Sequence, residues 1–500
     1  MNHWPIVPLL LPLTGGMINL LLTGRHPGAQ RIVSLVCTAG LLAVSLYLLG
    51  LAHSGVFLVY CLGDWAAPFG IVLVLDRLSA LLLVTTGLLG LLTLLYALAG
   101  DDRRGHNFHI FFPLQLLGIN GAFLTGDLFN LFVFFEILLI ASYCLALHGG
   151  GPVRIRAGLH YVVLNLTGSA LFLLAIGTLY GLTGTLNLAD LAVRVAASAP
   201  EQAPLFHASA LLLLVVFGLK AALLPLHLWL PALYSSAVAP VAALFAITTK
   251  VGLYAILRIF TLVFNGQGPA ADVASAVLPA LGLITVVAGG FGVLGAQWLR
   301  LLIAYLVVIS VGTLLAGIGQ FNVKGIAAAL YYLPHTTWVT AGLFLLADMI
   351  AQQRGPHGDG FTRGPLPAQP ARLGLLFFLG AVAAAGLPPL SGFIGKVLLL
   401  RSVAPAEAVW LWGVILLAGL TALIALTRAG SRMFWRTKGE AAAGTAAGMM
   451  RLAPAALLLA LSVLLTVFAA PVSRFTEAAA LQLLTPEQYI AAVLAREGHP

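Results

Sequence analysis

Long runs of apolar residues recur along the whole chain and limit what this sequence can fold into. Examples are LLLLVVFGL before Lys220 and NLFVFF before Glu136. Only 8% of the 500 residues are charged, whereas soluble domains carry about 25%. There are too few charges to coat soluble domains of this total length, so the chain is predicted to be a polytopic membrane protein.

The apolar runs predict an all-α membrane domain. A transmembrane helix needs about 20 mainly apolar residues, and the bilayer requires helices because backbone polar groups cannot stay unpaired there. About fourteen spans are predicted, at residues 5–23, 30–52, 70–98, 107–124, 127–147, 157–180, 207–228, 238–263, 273–297, 299–319, 326–351, 373–403, 408–431 and 452–471. A short amphipathic helix over 474–496 is expected to lie at the membrane surface.

Lys and Arg residues are distributed unevenly between the loops. Loops opposite the two termini carry about twice as many as loops on the terminal side. Because cytoplasmic loops are enriched in Lys and Arg, both termini are predicted to lie outside the cytoplasm. The net charge of +9 is explained by this bias. Nucleic acid is not an expected partner, since no basic cluster alternates with aromatic residues.

Four ionisable residues fall inside the apolar runs: Glu136, Lys220, Lys250 and Lys396. Each costs at least about 2.5–3.5 kcal/mol near the bilayer centre unless it pairs or lines water. One such lysine could snorkel or join helices, but snorkelling from mid-span is geometrically difficult. Buried lysine can lose its proton whereas arginine cannot. The use of lysine at all three positions therefore favours a proton relay.

Helix-breaking residues lie close to Lys220 and Lys396. These residues predict that spans seven and twelve are discontinuous. Broken helices mark the ion sites of many transporters, and their spacing predicts two inverted five-helix repeats. The expected divisions are N-terminal helices over 1–106, repeats over 107–263 and 273–431, and a last span over 452–471. The helix-breaking residues are Pro225, Pro388, Pro389 and Gly392.

Several uncharged polar residues are candidates for the same path. His335 lies in the middle of span eleven, where it could simply satisfy helix packing; we interpret it as the bridge between Lys250 and Lys396, because histidine exchanges protons near neutral pH. Asp76 and Arg77 are interpreted as an interfacial ion pair, and Asp127 as a helix cap. The supporting polar residues are His227, Ser235, Ser236, Thr249, Tyr254 and Thr336.

Motifs for other chemistries are absent from the sequence. There is no GxxxxGK[ST] phosphate loop, no Cys/His metal cluster and no nucleophile elbow. The three cysteines, Cys37, Cys61 and Cys144, stand singly in apolar runs and are interpreted as buried small residues. The sequence predicts no cofactor, no metal site and no catalytic residue of its own.

Three segments carry a family resemblance: GDLFNLFVFFEILLIASY around Glu136, FGLKAALLPLHLWLP around Lys220, and LPPLSGFIGKVLLL around Lys396. With them, nearly the whole chain resembles the antiporter-like subunits shared by Mrp-type multisubunit Na⁺/H⁺ antiporters and the membrane arm of respiratory complex I. PVAALFAITTKVGLYAILRIF, around Lys250, looks most like the D-type subunits. Relatives often carry an acidic-and-lysine stretch where this chain has QWLR at 297–300, so no coupling role is assigned to that loop.

The resemblance implies a role for each buried group. Glu136 and Lys220 would form a carboxylate–lysine pair, Lys250 the central relay, His335 the next step, and Lys396 the lysine of the second half-channel. It also implies a subunit of a bacterial inner-membrane complex with A-, B-, C-, E-, F- and G-type partners. The complex would exchange H⁺ for Na⁺, or for Li⁺ or K⁺, within lipid.

Three alternatives remain open at this stage. The chain could be a proton-pumping subunit of a redox-driven complex, such as a complex I-like NADH:quinone oxidoreductase or a membrane-bound hydrogenase. It could be a non-transporting scaffold, although a scaffold gains nothing from four ionisable groups at mid-depth. It could work as a carrier alone, but no carboxylate cage for a hard cation is evident.

Overall fold

The computed structural model of the chain describes residues 3–265, 268–437 and 445–494. Residues 495–496 of the predicted tail helix lie outside these ranges. The first ten α-helices are α1 Val7–Leu21, α2 Pro27–His53, α3 Arg77–Ala97, α4 Phe108–Leu124, α5 Leu128–Ala146, α6 Pro152–Thr183, α7 Leu188–Ala196, α8 Ala203–Ala221, α9 Trp229–Ser236 and α10 Ala239–Phe245. The others are α11 Thr248–Leu262, α12 Val273–Gly295, α13 Leu299–Ile318, α14 Val323–Gln353, α15 Pro370–Ala385, α16 Ser391–Leu400, α17 Pro405–Gly430, α18 Met449–Val467, α19 Ala469–Leu483 and α20 Pro486–Leu494.

The helical membrane fold is confirmed, while the exact number of fourteen spans is not. Within the described residues, eleven helical segments are long and apolar enough to cross a membrane. The remaining predicted spans coincide with α4, α14 and the consecutive helices α15 and α16. Whether the two halves are inverted repeats stays a prediction.

A small hairpin precedes α3, and it corrects the predicted start of span three at residue 70. Strand β1 Leu58–Cys61 pairs antiparallel with β2 Val72–Leu75. The helix begins only at Arg77, because the Asp76 carboxylate accepts a hydrogen bond from the Ser79 backbone N–H at 2.8 Å. Asp127 caps α5 in the same way, accepting from the Asn130 N–H at 2.8 Å, as the sequence predicts.

Helix α14 lies at the centre of the fold. It packs against α3, α10, α13, α15, α16, α18 and α19. Nearly every residue from Gly325 to Ile350 is buried, so polar side chains on this helix face other helices rather than lipid. A histidine in the middle of α14 is therefore inside the protein.

Both predicted breaks are present. Helix α8 ends at Ala221, where Ala222 takes a left-handed conformation (φ +62°), and a 3₁₀ turn over Leu226–Leu228 leads into α9. Helix α15 ends at Ala385, and Gly386 has φ +78°. The Leu387 N–H then donates to the Val382 carbonyl at 3.0 Å, which closes the helix end.

A third interruption, within predicted span eight, was not expected. Helix α10 ends at Phe245 and α11 starts at Thr248. The Phe245 carbonyl accepts hydrogen bonds from the hydroxyls of Tyr234 at 2.6 Å and Thr248 at 2.8 Å. Side-chain hydroxyls that bind a helix carbonyl compete with the backbone ladder, which explains the irregular turn.

The tail also differs from the expected single surface helix over 474–496. It forms two helices, α19 and α20. Ala479 and Ala480 on α19 are fully buried, and Tyr489 on α20 is nearly so. Helix α19 packs against α14, and α20 packs against α7.

Candidate functional site

Lys220 lies in the last turn of α8, immediately before the first break. Its side chain is buried, and its Nζ donates to Asn165 Oδ1 on α6 at 3.3 Å. The ammonium group also lies 5.8 Å from the centre of the Phe135 ring. The C-terminal end of a helix carries partial negative charge, which favours a cation at this position.

Glu136 lies on α5 and is half-buried. Its carboxylate accepts a short hydrogen bond from the Ser169 hydroxyl on α6. Asn165 and Ser169 are four residues apart, so they share one face of α6. In the described structure, Glu136 and Lys220 are within electrostatic range, but each is bound by its own α6 partner and they form no direct ion pair.

Lys250, on α11, is completely buried. Its Nζ has no hydrogen-bond partner among the described protein atoms. The same holds for two of the predicted supporting residues, at Thr249 Oγ1 and His227 Nδ1. Leaving a buried polar group unpaired costs about 1–3 kcal/mol, and more for a charged one. Internal water would therefore be stabilising at these atoms.

The helix that bears Lys250 is pressed against the end of α8. Gly252 is so close to that helix end that a Cβ atom there would lie 2.5 Å from the Ala221 nitrogen and 2.9 Å from the Lys220 carbonyl carbon. Only glycine permits this approach. The packing of α11 on α8 thus brings the Lys250 segment next to the Lys220 segment.

His335 and Lys396 meet at the second break. His335 Nδ1 is 2.7 Å from the Ser391 hydroxyl, which in turn is 2.9 Å from the Ser462 hydroxyl on α18. Lys396 Nζ donates to the Ala385 carbonyl at 2.7 Å, at the C-terminal end of α15. A Cβ at Gly392 would lie 2.7 Å from His335 Nε2, so this residue must be small for the histidine to fit.

A small cavity connects these two side chains. Its volume is about 20 Å³, and its lining includes Tyr332, His335, Thr336, Thr340 and Lys396. A cavity needs roughly 10–15 Å³ on this measure to hold one water molecule, which also requires polar partners. The space is therefore suited to a single water between the imidazole and the ammonium group.

The other supporting residues lie in different parts of the structure. Thr336 lines the small cavity, while Ser235 and Ser236 line a larger cavity of about 930 Å³ between α6, α9 and α13. That cavity reaches Leu228, next to His227 in the first break. The Tyr254 hydroxyl donates to the Phe123 carbonyl at 3.0 Å and accepts from Arg258, so it is bound to neither Lys250 nor Thr249.

The expected Asp76–Arg77 ion pair is wrong. Asp76 pairs with Arg258 on α11 at 2.6 Å, and both side chains are buried. Arg77 instead donates to the His53 carbonyl at 3.1 Å. Asp76 is the N-cap of α3, and its side chain points into the protein. Arg77 is the first residue of the helix, and its side chain lies on the outer side.

The sequence did not predict a buried cluster of charged side chains. This cluster lies at the end of the protein that carries most of the basic loops. Asp348 on α14 accepts from Arg300 at 2.8 Å and from the Tyr96 hydroxyl at 2.8 Å. Arg451 lies 3.4 Å from Asp101 and 3.7 Å from Asp348, so it bridges the two acids. Burial raises the pKa of Asp101, and the Asp348 charge adds to this effect. The signal was visible as an acid in the apolar run LLADMI.

Two broken spans, each with a lysine whose ammonium group lies at a helix end, are typical of polytopic membrane transport proteins. The family model described as NADH:quinone oxidoreductase/Mrp antiporter, TM matches residues 125–422. The chain belongs to this family.

Relatives match over almost the full length of the chain. It is 40% identical to the D-type subunit of a probable K⁺/H⁺ antiporter of Rhizobium meliloti, covering 97% of this chain and 96% of that one. It is 38% identical to the D-type subunit of a Na⁺/H⁺ antiporter of Alkalihalophilus pseudofirmus, covering 99% and 100%.

Solved structures show the same fold. A chain of the Mrp complex from Dietzia sp. superposes with a TM-score of 0.87 at 27% identity, covering 99% of this chain and 100% of that one. A chain of respiratory complex I from Thermus thermophilus gives 0.77 at 27% identity, covering 96% and 99%.

Proposed function

We propose that this chain is the proton-translocating D-type subunit of a multisubunit monovalent cation/H⁺ antiporter in a bacterial plasma membrane. The observation that carries the proposal is the series of basic groups from the buried Lys220, Lys250 and His335 to the half-buried Lys396. It begins at one broken helix and ends at the other. The names of the relatives support the type of complex.

The first step of the proposed path is a change of charge at Lys220. A proton gained or lost there alters its attraction to Glu136, and the Asn165–Ser169 face of α6 lies between the two groups. The cavity of about 930 Å³ that reaches the first break supplies access from the end with most basic loops. That end is cytoplasmic if both termini lie outside, as the loop charges predict.

The later steps carry the proton across the centre of the protein. Lys250 receives it by way of internal water, because the amine has no protein partner among the described residues. His335 passes it to Lys396 through the cavity of about 20 Å³. Imidazole suits this position because it can accept a proton on one nitrogen and release one from the other.

The transported cation is proposed to be Na⁺, with K⁺ or Li⁺ as alternatives, since relatives are named for both Na⁺ and K⁺. In the described residues, no group of three or more His, Cys, Asp or Glu side chains could hold a metal ion. We therefore propose that the cation crosses with the help of other subunits, of the A, B, C, E, F and G types.

The test is cation-dependent ΔpH in everted vesicles from an antiporter-deficient strain. The gene is expressed alone and then with its whole operon. Activity that requires the operon supports the proposal, and comparing Na⁺, K⁺ and Li⁺ identifies the ion. Lys220→Ala within the operon should abolish antiport while the complex still assembles. Lys324→Ala, at an exposed lysine, is the matched control. Retained antiport in Lys220→Ala would refute the relay.

A second candidate is the proton-pumping subunit of a redox-driven complex. The family model covers such proteins, and the complex I chain has the same fold. The same vesicles separate the two functions. A ΔpH that follows NADH or formate oxidation, with no response to any cation, would favour the redox-driven pump.

A further inference from the structure

An apolar groove and a basic cavity lie side by side at the end of α17. The groove, between α15 and α17, has a volume of about 600 Å³ and is lined by side chains that include Phe377, Phe378, Leu387, Leu423, Phe434 and Trp435. The basic cavity measures about 390 Å³, and its charged lining residues are Arg363, Arg432 and Arg436.

One local feature joins the two spaces. Residues Ser431–Trp435 form a π-helical turn at the end of α17. This turn places Phe434 and Trp435 on the groove, while Arg432 and the following Arg436 line the basic cavity. Single π-helical turns inside or at the end of α-helices are frequent at functional sites.

The charge of the basic cavity is not balanced by its own lining. No Asp or Glu lines it among the described residues. The nearest acid in sequence, Asp359, already accepts a hydrogen bond from the Arg300 backbone N–H at 2.8 Å. Arg363 and Arg436 are exposed, so their guanidinium groups are available to an anion.

Two exposed tryptophans indicate that the site lies at the level of the lipid headgroups in the membrane. Trp298 lines the basic cavity with 52% of its surface exposed, and Trp435 lines the groove with 78% exposed. Exposed tryptophans mark the boundary between hydrocarbon and headgroups. Basic pockets between membrane helices, on the side that the loop charges make cytoplasmic, suit anionic headgroups.

We propose that this combined site binds one anionic phospholipid of the leaflet next to the basic loops. Its phosphate contacts Arg363, Arg432 and Arg436, and one acyl chain lies in the α15–α17 groove. The groove extends to Leu387 in the second broken helix, so the lipid chain packs beside the segment that carries Lys396.

The experiment uses the full chain, purified with the subunits encoded beside it and stripped of lipid in detergent. Native mass spectrometry then measures binding of dioleoylphosphatidylglycerol and of neutral dioleoylphosphatidylcholine. Arg363→Gln with Arg436→Gln should weaken phosphatidylglycerol binding at least about tenfold. Arg25→Gln with Arg103→Gln removes the same charge at exposed residues elsewhere and should leave binding unchanged.

A second pair of variants tests the groove. A Cβ at Gly374 would meet the Phe434 ring at 3.7 Å, so Gly374→Leu should fill the groove without disturbing the helix. It should weaken binding of both lipids. Gly413→Leu, on the open face of α17, should have no effect.

Three outcomes would overturn the proposal. Equal losses in the two arginine pairs would show only a general effect of charge. Full competition by soluble glycerol phosphate, with no effect of Gly374→Leu, would identify a site for free anions. A partner protein that covers Trp435 and excludes lipid in the intact complex would identify a protein interface instead.

Discussion

The two broken helices hold their lysines at similar places but with different partners. Lys220 lies in the last turn of α8, and Lys396 reaches back to the Ala385 carbonyl at the end of α15. Both ammonium groups are thus next to the negative end of a helix. Among the described side chains, Glu136 supplies a carboxylate near Lys220. The described residues lining the cavity at Lys396 include no acid.

We propose that this difference gives the two halves different roles in the relay. The electrostatic surroundings of Lys220 change whenever Glu136 or its contacts with α6 change. Lys396 is bound to a backbone carbonyl, whose charge is fixed. In this proposal the first half responds to a change in charge at a carboxylate, whereas Lys396 receives or releases the proton beside a partner of fixed charge.

The largest effect among these variants is expected when the Lys250 amine, which lies between the two halves of the proposed path, is removed. Lys250→Met should lower antiport at least about 100-fold, the usual contribution of a positioned proton-transfer group. It should also raise the free energy of unfolding by about 1–3 kcal/mol, since it removes an unpaired buried amine. Vesicle ΔpH and thermal unfolding of the purified complex measure the two effects. Lys324→Met is the control; loss of both activity and stability in Lys250→Met would contradict the relay.

Replacing Glu136 by glutamine leaves Lys220 without a nearby carboxylate, and in this respect the first half then resembles the second. Glu136→Gln should lower antiport about tenfold, equivalent to one pKa unit of altered interaction with Lys220. The measurement is the initial rate of ΔpH across a range of pH. Glu201→Gln, at an exposed acid, is the matched control. An unchanged rate and pH profile would show that the halves do not differ in the way proposed.

Sequence was sufficient for the three lysines, for Glu136 and for the breaks in spans seven and twelve, because all of them violate strong rules of membrane helices. It did not reveal the charge cluster at Asp348 or the interruption between α10 and α11. A lysine in an apolar run and a proline next to it are visible without coordinates. Partners were not visible: Asn165 and Ser169 are ordinary polar residues of a span, and only the packing of α6 between α5 and α8 shows what they bind. The Asp76–Arg258 pair was missed because its members are 182 residues apart.

A smaller effect is expected from the α6 contact in the first half. Ser169→Ala should lower antiport about fivefold, because a hydrogen bond to a charged group is stronger than a neutral one. Thr178→Ala, at an exposed residue of α6 that binds its own backbone, should have no effect. In a Glu136→Gln background the Ser169→Ala loss should disappear, since the two residues act together. An additive loss would show that Ser169 does not act through Glu136.

The smallest effect is expected from Ser391, the serine that contacts His335 in the second half. Ser391 binds His335 and Ser462, neither of which is a carboxylate, so Ser391→Ala should lower antiport only about threefold, equivalent to a hydrogen bond without a carboxylate acceptor. Ser391→Thr should restore most of the rate because it returns the hydroxyl. Ser45→Ala, at a buried serine that binds its own helix, is the control. If Ser391→Ala were more damaging than Ser169→Ala, the charge-responsive step would have to lie at His335, and the contrast between the two broken helices would be reversed.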